Sequence, residues 1–286
     1  MASAVVKIDV ASFLNGSSSG VSEVRADFWC ATDVAAVSYP QEAHLALAKV
    51  EETSFWFRHR NQVVASAVNR FSSGKAFFEI GGGNGYVSLG LKQAGCDAVV
   101  VEPGSEGATV ASRRGLTVIN AALSSDLFVP GSLPAVGLFD VIEHVADDKK
   151  FLRECSDALE PGGFIYITVP ATQGLWSTDD EYAGHYRRYS RKRLKQLLEA
   201  TGFEVKQVSG FFLLLVLPLF LLRTLPSKFG QRKVTSVDQA VTHHKEGLIS
   251  RLIGRASGFE IGAISRGYSL PAGTSLIAIA RKPQST

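Results

Sequence analysis

The stretch Phe77-Phe-Glu-Ile-Gly-Gly-Gly-Asn-Gly-Tyr86 constrains this chain most. An apolar, β-type run breaks there into four glycines and then into a helical pattern that begins near Tyr86. Glycine reaches φ > 0 and has no Cβ, so a strand can turn tightly into a helix and a ligand can lie against bare backbone. The spacing Glu79-x-Gly81-x-Gly83-x-Gly85 is not the dinucleotide fingerprint, which needs a third glycine three residues after its second. Counted from Gly81 that position holds Tyr86, and counted from Gly83 it holds Ser88.

Around this turn the pattern alternates between strand and helix. Ala98-Val-Val-Val-Glu102 reads as a buried strand ending in an acid, and Leu116–Ile119, Val136–Asp140, Phe164–Val169, Phe203–Val208 and a terminal strand, Leu276–Lys282, follow. Helices are expected from Tyr86 to Ala94, around Ala108 to Arg114, after His144 with Phe151, Leu152, Cys155 and Leu159 on one face, after the cap Ser190, and around Leu248 to Ala256. The expected fold is therefore α/β: a Rossmann-like, doubly wound, mostly parallel sheet. Residues 1–40, with a β-like Val5–Val10 and a Gly/Ser connector over Asn15–Gly20, read as an N-terminal arm. Residues 41–286 read as one domain, with 41–70 as a helical lid and 211–270 as a lid or insertion before the last strand.

In the helical lid Arg58 and Arg60 are expected to be solvated, although aromatics interleaved with cations there also suit a cover over a site, with Trp56 facing a ligand. Phe211–Leu222, the most apolar run, is too short to span a bilayer and is broken by Pro218. It reads as a buried helix or lid, with membrane-surface contact as the second reading.

With 286 residues the chain can bury a sizeable core. A net charge of +3, from 30 basic against 27 acidic side chains, implies no nucleic-acid partner. Cys30, Cys96 and Cys155 are too few and too far apart for a thiolate zinc site, and His243-His244 lacks partners at ligand spacing, so no metal site is read from the sequence. Unpaired cysteines and the lack of an apolar leader point to the cytoplasm.

On these residues the chain resembles the class I S-adenosylmethionine-dependent methyltransferases, in particular bacterial small-molecule enzymes with an Asp-Val-Ile-Glu-His turn. The motifs run from Phe77 to Val169. The resemblance implies an antiparallel terminal strand and S-adenosyl-L-methionine as cofactor. It implies that Glu79, Gly81, Gly83 and Gly85 form the cofactor loop, that Glu102 binds the ribose, and that Asp140 to His144 match the family's fourth-strand segment, with Asp140 at the cofactor. Leu159-Glu-Pro-Gly-Gly163 is also typical. Leu175-Trp-Ser177, Asp180, Gly184–Tyr189 and Leu270–Thr274 look like segments of a subgroup. The loop Asn120–Ser125 departs from the family by lacking an acid, so Ala122 and Leu123 would offer adenine apolar walls and backbone N–H groups instead.

Methyl transfer from a sulfonium is an in-line displacement in which positioning and exclusion of water supply most of the acceleration. His144 is the candidate base for a weakly acidic acceptor, with a structural histidine as the equal alternative, while Glu143 needs no role beyond capping. His185, Tyr186 and Arg187 are candidate substrate contacts. The alternative for the arginines of this cluster is a pair with Asp179 or Asp180 that holds the loop. The expectation is an enzyme that methylates a small amphipathic molecule, on oxygen if His144 is the base. A nicotinamide-dependent (NAD(P)) oxidoreductase and a non-catalytic cofactor-binding module at a membrane surface are the competing readings.

Overall fold

The computed structural model describes residues 8–32, 48, 50–230 and 248–284. Among the described residues nine strands form one sheet: β1 (Val21–Arg25), β2 (Phe28–Ala31), β3 (Phe77–Ile80), β4 (Ala98–Val101), β5 (Thr117–Asn120), β6 (Leu133–Phe139), β7 (Leu159–Pro170), β8 (Glu204–Phe211) and β9 (Ser275–Arg281). Their order across the sheet is β1-β2-β5-β4-β3-β6-β7-β9-β8. β2, β5, β4, β3, β6 and β7 run parallel, whereas β9 is antiparallel to both β7 and β8. The order reverses between β3 and β6. That switch point opens a crevice at the carboxyl ends of the strands, where ligands of such sheets bind.

Seven helices are used below: α1 (Phe55–Phe71), α2 (Tyr86–Gln93), α3 (Ser105–Arg113), α4 (Asp148–Ala158), α5 (Thr178–Tyr182), α6 (Arg191–Ala200) and α7 (Leu248–Ser265). Both sheet faces are covered, which is why the central strands are apolar throughout rather than alternating. Successive strand residues point to opposite faces. Phe78, Ile80, Val99 and Ile167 therefore pack with Leu152 of α4 and Leu194 of α6, while Phe77, Phe139 and Tyr166 pack with Val63, Val64 and Val68 of α1 and Leu91 of α2. Phe77 and Phe78 are both fully buried, each contributing about 1.5–3 kcal/mol of transfer free energy.

Several expectations need correction. The described part of the expected arm, residues 8–32, is more than an arm: Phe28, Trp29 and Cys30 pair in parallel with Val118, Ile119 and Asn120, so the β1–β2 hairpin extends the sheet edge. β1 is mostly exposed and mixed in polarity, hence its weak periodic signal. Val5–Val10 lies partly outside the described residues, and its end, Val10, opens a 3-10 turn rather than a strand. Asn15–Gly20 is a turn, tied to the sheet side by Asn15 N–H donating to the Leu127 carbonyl (3.1 Å).

The expected lid helix is, from Phe55 onward, a body of the fold. His59, Val63, Val64, Ala67 and Val68 face inward, and His59 Nε2 meets Glu260 Oε2 of α7 at 2.7 Å. The Ala43–Leu47 part of that lid, and His243-His244, lie outside the described residues. The apolar run is not a buried element either. Phe211 and Phe212 are buried, but Leu213–Lys228 forms short helical turns whose Leu214, Leu217 and Leu222 are exposed, Leu217 by 64%. Among the described residues no helix is long and apolar enough to cross a membrane.

Candidate active site

A cavity of about 440 Å³ lies at the carboxyl ends of β3, β4 and β6, a size suited to a small-molecule site. The glycine turn forms its floor. Gly81, Gly83 and Gly85 all take positive φ (71°, 52° and 70°), so each alternate position needs the left-handed region that disfavours a side chain. A Cβ on Gly81 would stand 2.9 Å from Val141 Cγ2, and one on Gly85 would stand 2.5 Å from Leu116 Cδ1. The glycine spacing thus lets β3 turn sharply while the β6 loop approaches closely.

Two buried acids hold this turn. Glu79, at the end of β3, accepts from the Ser88 backbone N–H (2.9 Å) and from the Ser88 hydroxyl, serving a free N–H in the first turn of α2. Burial pushes its carboxyl up to about 7 despite those bonds. Glu102, one residue past β4, accepts from Gly83 N–H through one oxygen and from Gly104 N–H through the other, both at 2.7 Å. Its carboxylate is thereby fixed at the cavity wall. Ala122 and Leu123 line the same wall, supplied by the loop after β5.

Opposite them, Asp140 closes β6 in a left-handed conformation (φ 58°) and accepts from Thr168 Oγ1 at 3.2 Å. It also pairs with Arg60 of α1. This corrects the expectation that Arg60 is solvated, since its side chain is largely buried and lines the cavity. Phe57, three residues earlier and so on the same helix face, also lines it, with the Arg60 guanidinium 5.3 Å from its ring centre. That i, i+3 pairing was the available sequence signal. Glu51 and Arg114 form a second missed pair (2.9 Å), which also engages the Asn84 carbonyl beneath the glycine turn.

His144 ends the short helical turn after β6 and lines the cavity beside Val145 and Phe151. Burial, and the neighbouring His185, push its protonation down to about 4. Glu143 is fully buried, and neither carboxylate oxygen has a hydrogen-bond partner among the described residues, so it is not a helix cap. Burial, reinforced by the charge of Asp140, raises its carboxyl well above the ordinary range.

The four residues expected to contact substrate are not among those lining the cavity. Trp56 stacks on Phe212 (ring centres 3.9 Å apart) because α1 turns it toward the β8 end. Tyr186 is exposed. Arg187 is spent on Asp148 (2.8 Å) and the Ala146 carbonyl. His185 stands against His144, ring centres 4.7 Å apart. Arg188 takes the loop-holding alternative: its Nε and Nη2 donate to the two oxygens of buried Asp180 at 2.8 and 3.0 Å. The apolar lining comes from Phe57, Phe139, Val141 and Phe151 rather than from Phe211–Leu222.

Comparison with known proteins points one way. The model of a family described as a methyltransferase domain matches residues 56–208. A curated protein of Mycolicibacterium smegmatis, named a probable S-adenosylmethionine-dependent methyltransferase, is 28% identical over 185 residues, covering 60% of this chain and 68% of that protein. The ubiquinone biosynthesis O-methyltransferase of Caulobacter vibrioides is 32% identical over 103 residues, covering 34% of this chain and 41% of that protein. Among solved structures, phosphoethanolamine N-methyltransferase 2 of Haemonchus contortus with S-adenosyl-L-methionine matches with a TM-score of 0.54 at 18% identity, over 87% of this chain and 58% of that one. A Thermotoga maritima structure described as a SAM-dependent methyltransferase, possible histamine N-methyltransferase, matches with a TM-score of 0.51 at 20% identity, over 84% of this chain and 97% of that one. At those identities the structural likeness speaks for the fold alone.

Proposed function

The chain belongs to the methyltransferase-domain family and is an S-adenosylmethionine-dependent methyltransferase, and from that premise we propose that it methylates a small amphipathic acceptor on oxygen. The carrying observation is that one cavity brings the glycine turn, Glu102, Ala122, Leu123 and Asp140 together with His144 and an apolar wall. In this reading Glu102 accepts from the ribose hydroxyls, Ala122 and Leu123 flank the adenine, and the positive-φ glycines let the methionyl part lie on bare backbone. Glu79 acts through the turn it ties to Ser88. Asp140 and Arg60 offer the charges that a methionyl amino group and carboxylate require. The Asp140–His144 turn sets the reacting end.

An acceptor hydroxyl there meets His144. Bound S-adenosylmethionine would supply the activated methyl group, its carbon–sulfur pair returning to sulfur as the acceptor oxygen bonds the methyl carbon, and His144 would take the hydroxyl proton. Oxygen is supported by the partial match to a ubiquinone biosynthesis O-methyltransferase, and an amphipathic acceptor by the aromatic and aliphatic lining. The nicotinamide reading and the non-catalytic module are set aside by the family match.

Isothermal titration with S-adenosylmethionine and S-adenosylhomocysteine is the test of the site, expected to give one saturable site for each. Folded protein that binds neither refutes it. A screen of cell extracts with methyl-labelled cofactor then identifies the acceptor, and label that resists alkali and resides on nitrogen or carbon in the product overturns the choice of oxygen.

A further inference from the structure

Glu143, His144 and His185 meet where the loop after β6 faces the loop after α5, and one ligand atom from each lies within 4.8 Å of the others. The two imidazoles stand edge to face at 77°. The juxtaposition is held from both sides. Tyr186 N–H donates to the Glu143 carbonyl at 2.8 Å, pinning one loop to the other. His185 Nδ1 is bonded to Asp180 Oδ1 at 2.9 Å, which directs its Nε2 away from that carboxylate. Asp180 is itself locked by Arg188 and by the Ser177 backbone N–H. A carboxylate that orients a histidine through one ring nitrogen while the other is offered outward is the usual outer support of a metal-ligating imidazole.

Glu143 supplies the independent observation. Its side chain is 0% exposed, and both oxygens lack a hydrogen-bond partner among the described residues while lying beside the two imidazoles. A buried carboxylate with nothing to accept from is costly unless a cation or proton meets it. Two imidazoles with one carboxylate are the donor set that suits zinc, iron, cobalt or manganese better than magnesium or calcium, which prefer oxygen.

We propose that Glu143, His144 and His185 form a binding site for one divalent first-row transition cation at the wall of the cavity. Three ligands sharing one ion at about 2.1 Å stand roughly 3.4–3.6 Å apart, so the set, now within 4.8 Å, is completed by side-chain rotations that bring the ligand atoms closer by about an ångström. Three protein ligands leave coordination positions open. Because His144 lines the cavity, an acceptor oxygen can take one of them. That role, though not the binding itself, rests on the methyltransferase reading. The cation then lowers the pKa of the acceptor hydroxyl, whose proton passes to water before the oxygen displaces the methyl group from sulfur. His144 is in that state a ligand rather than the proton acceptor.

The test uses full-length protein stripped with EDTA, dialysed, and titrated with Co²⁺ and Zn²⁺, followed by visible absorption for cobalt and calorimetry for zinc. One equivalent of each is expected to bind the parent. Affinity should fall at least about tenfold in Glu143→Gln and in His185→Asn, with S-adenosylhomocysteine affinity kept within twofold as the measure of intact folding. If Glu143→Gln fails that folding check, the less buried His185→Asn decides. The proposal is overturned if the parent takes up no stoichiometric cobalt or zinc, or if a folded variant binds them as tightly as the parent. Normal S-adenosylhomocysteine binding without metal uptake removes the cation site alone. Metal uptake without S-adenosylhomocysteine binding removes the methyltransferase assignment of the cavity and leaves the cation site standing.

Discussion

Replacing Arg188 by methionine should expose how much the loop before α6 depends on one buried ion pair. Arg188 and Asp180 are both buried, and their two parallel bonds at 2.8 and 3.0 Å are joined by a third from Arg188 Nη1 to the Ala171 carbonyl at 3.1 Å. Removing one member of a buried pair costs about 3–5 kcal/mol because the other charge stays behind. Here Ser177 N–H (2.9 Å) and His185 Nδ1 still bond the Asp180 carboxylate and the Arg223 guanidinium stays 3.9 Å away, so the lower end, about 3 kcal/mol, is expected. That is a large part of the 5–15 kcal/mol typical of a whole domain.

The deficit should depend on pH in a defined direction. Burial alone would raise the Asp180 carboxyl, but the bonds from His185 and Arg188 outweigh it and hold the group at about 2. A carboxyl depressed in the native state adds stability above its unfolded value near 4, and that increment is lost as pH falls through about 2. The Arg188→Met deficit should therefore be full at pH 6–7 and shrink below pH 4. Urea denaturation monitored by tryptophan fluorescence is suitable, since Trp176 adjoins the Ser177 cap and bonds Glu181 Oε1 at 3.2 Å. In a double-mutant cycle, Asp180→Asn should cost at least about 2 kcal/mol less in a chain that already carries Arg188→Met than in the parent. A neutral-pH deficit under about 1 kcal/mol, or one unchanged at low pH, would refute the reasoning.

Glu102→Ala should weaken S-adenosylmethionine binding by about 1–3 kcal/mol, as for hydrogen bonds to a charged group, and calorimetry returning the parental Kd removes the ribose assignment. Gly81→Ala combines the left-handed φ of 71° with a 2.9 Å contact to Val141, so thermal unfolding should show a loss of at least about 1–2 kcal/mol. Adding Val141→Ala should recover the contact but not the backbone cost, and full recovery would count against the strain. Glu79 keeps its proton up to about 7 in the native state but only to 4.5 when unfolded, so the native state binds more protons in between and stability falls as pH rises through that window. Denaturation at pH 5 and pH 8 should find this fall reduced in Glu79→Gln by roughly 3 kcal/mol, and identical pH slopes in the two proteins would contradict it.

The central strands and the glycine turn were legible because their signals are local. Runs such as Ala98–Val101 are apolar at every position, as strands covered on both faces must be, and the alternate glycines coincide with three positive φ angles. The β1–β2 hairpin was not legible because an exposed edge strand needs no apolar pattern, and its place is set by pairing with Val118–Asn120 far along the chain. Arg60 was misread for a related reason. The expectation places Phe57 inward and Arg60 in solvent, whereas the i, i+3 spacing puts both on one face, and that this face meets Asp140, 80 residues on, is set by the fold. In the apolar run, Phe212 found its cover in Trp56, whereas Leu214, Leu217 and Leu222 remain exposed.

By itself the amino-acid sequence determined the α/β alternation, the left-handed turn at Gly81–Gly85 and the acids that end β3 and β4. Each follows from backbone sterics or from a period of two or about four residues, which neighbouring positions suffice to express. Only the tertiary structure decided that Glu143, His144 and His185 converge, that Arg188 rather than Arg187 holds Asp180, and that Trp56 faces Phe212 instead of the cavity. Those outcomes depend on which loops the strand order brings side by side and on how buried charges are partnered. Both are properties of packing between segments distant in the chain, and no local pattern encodes them.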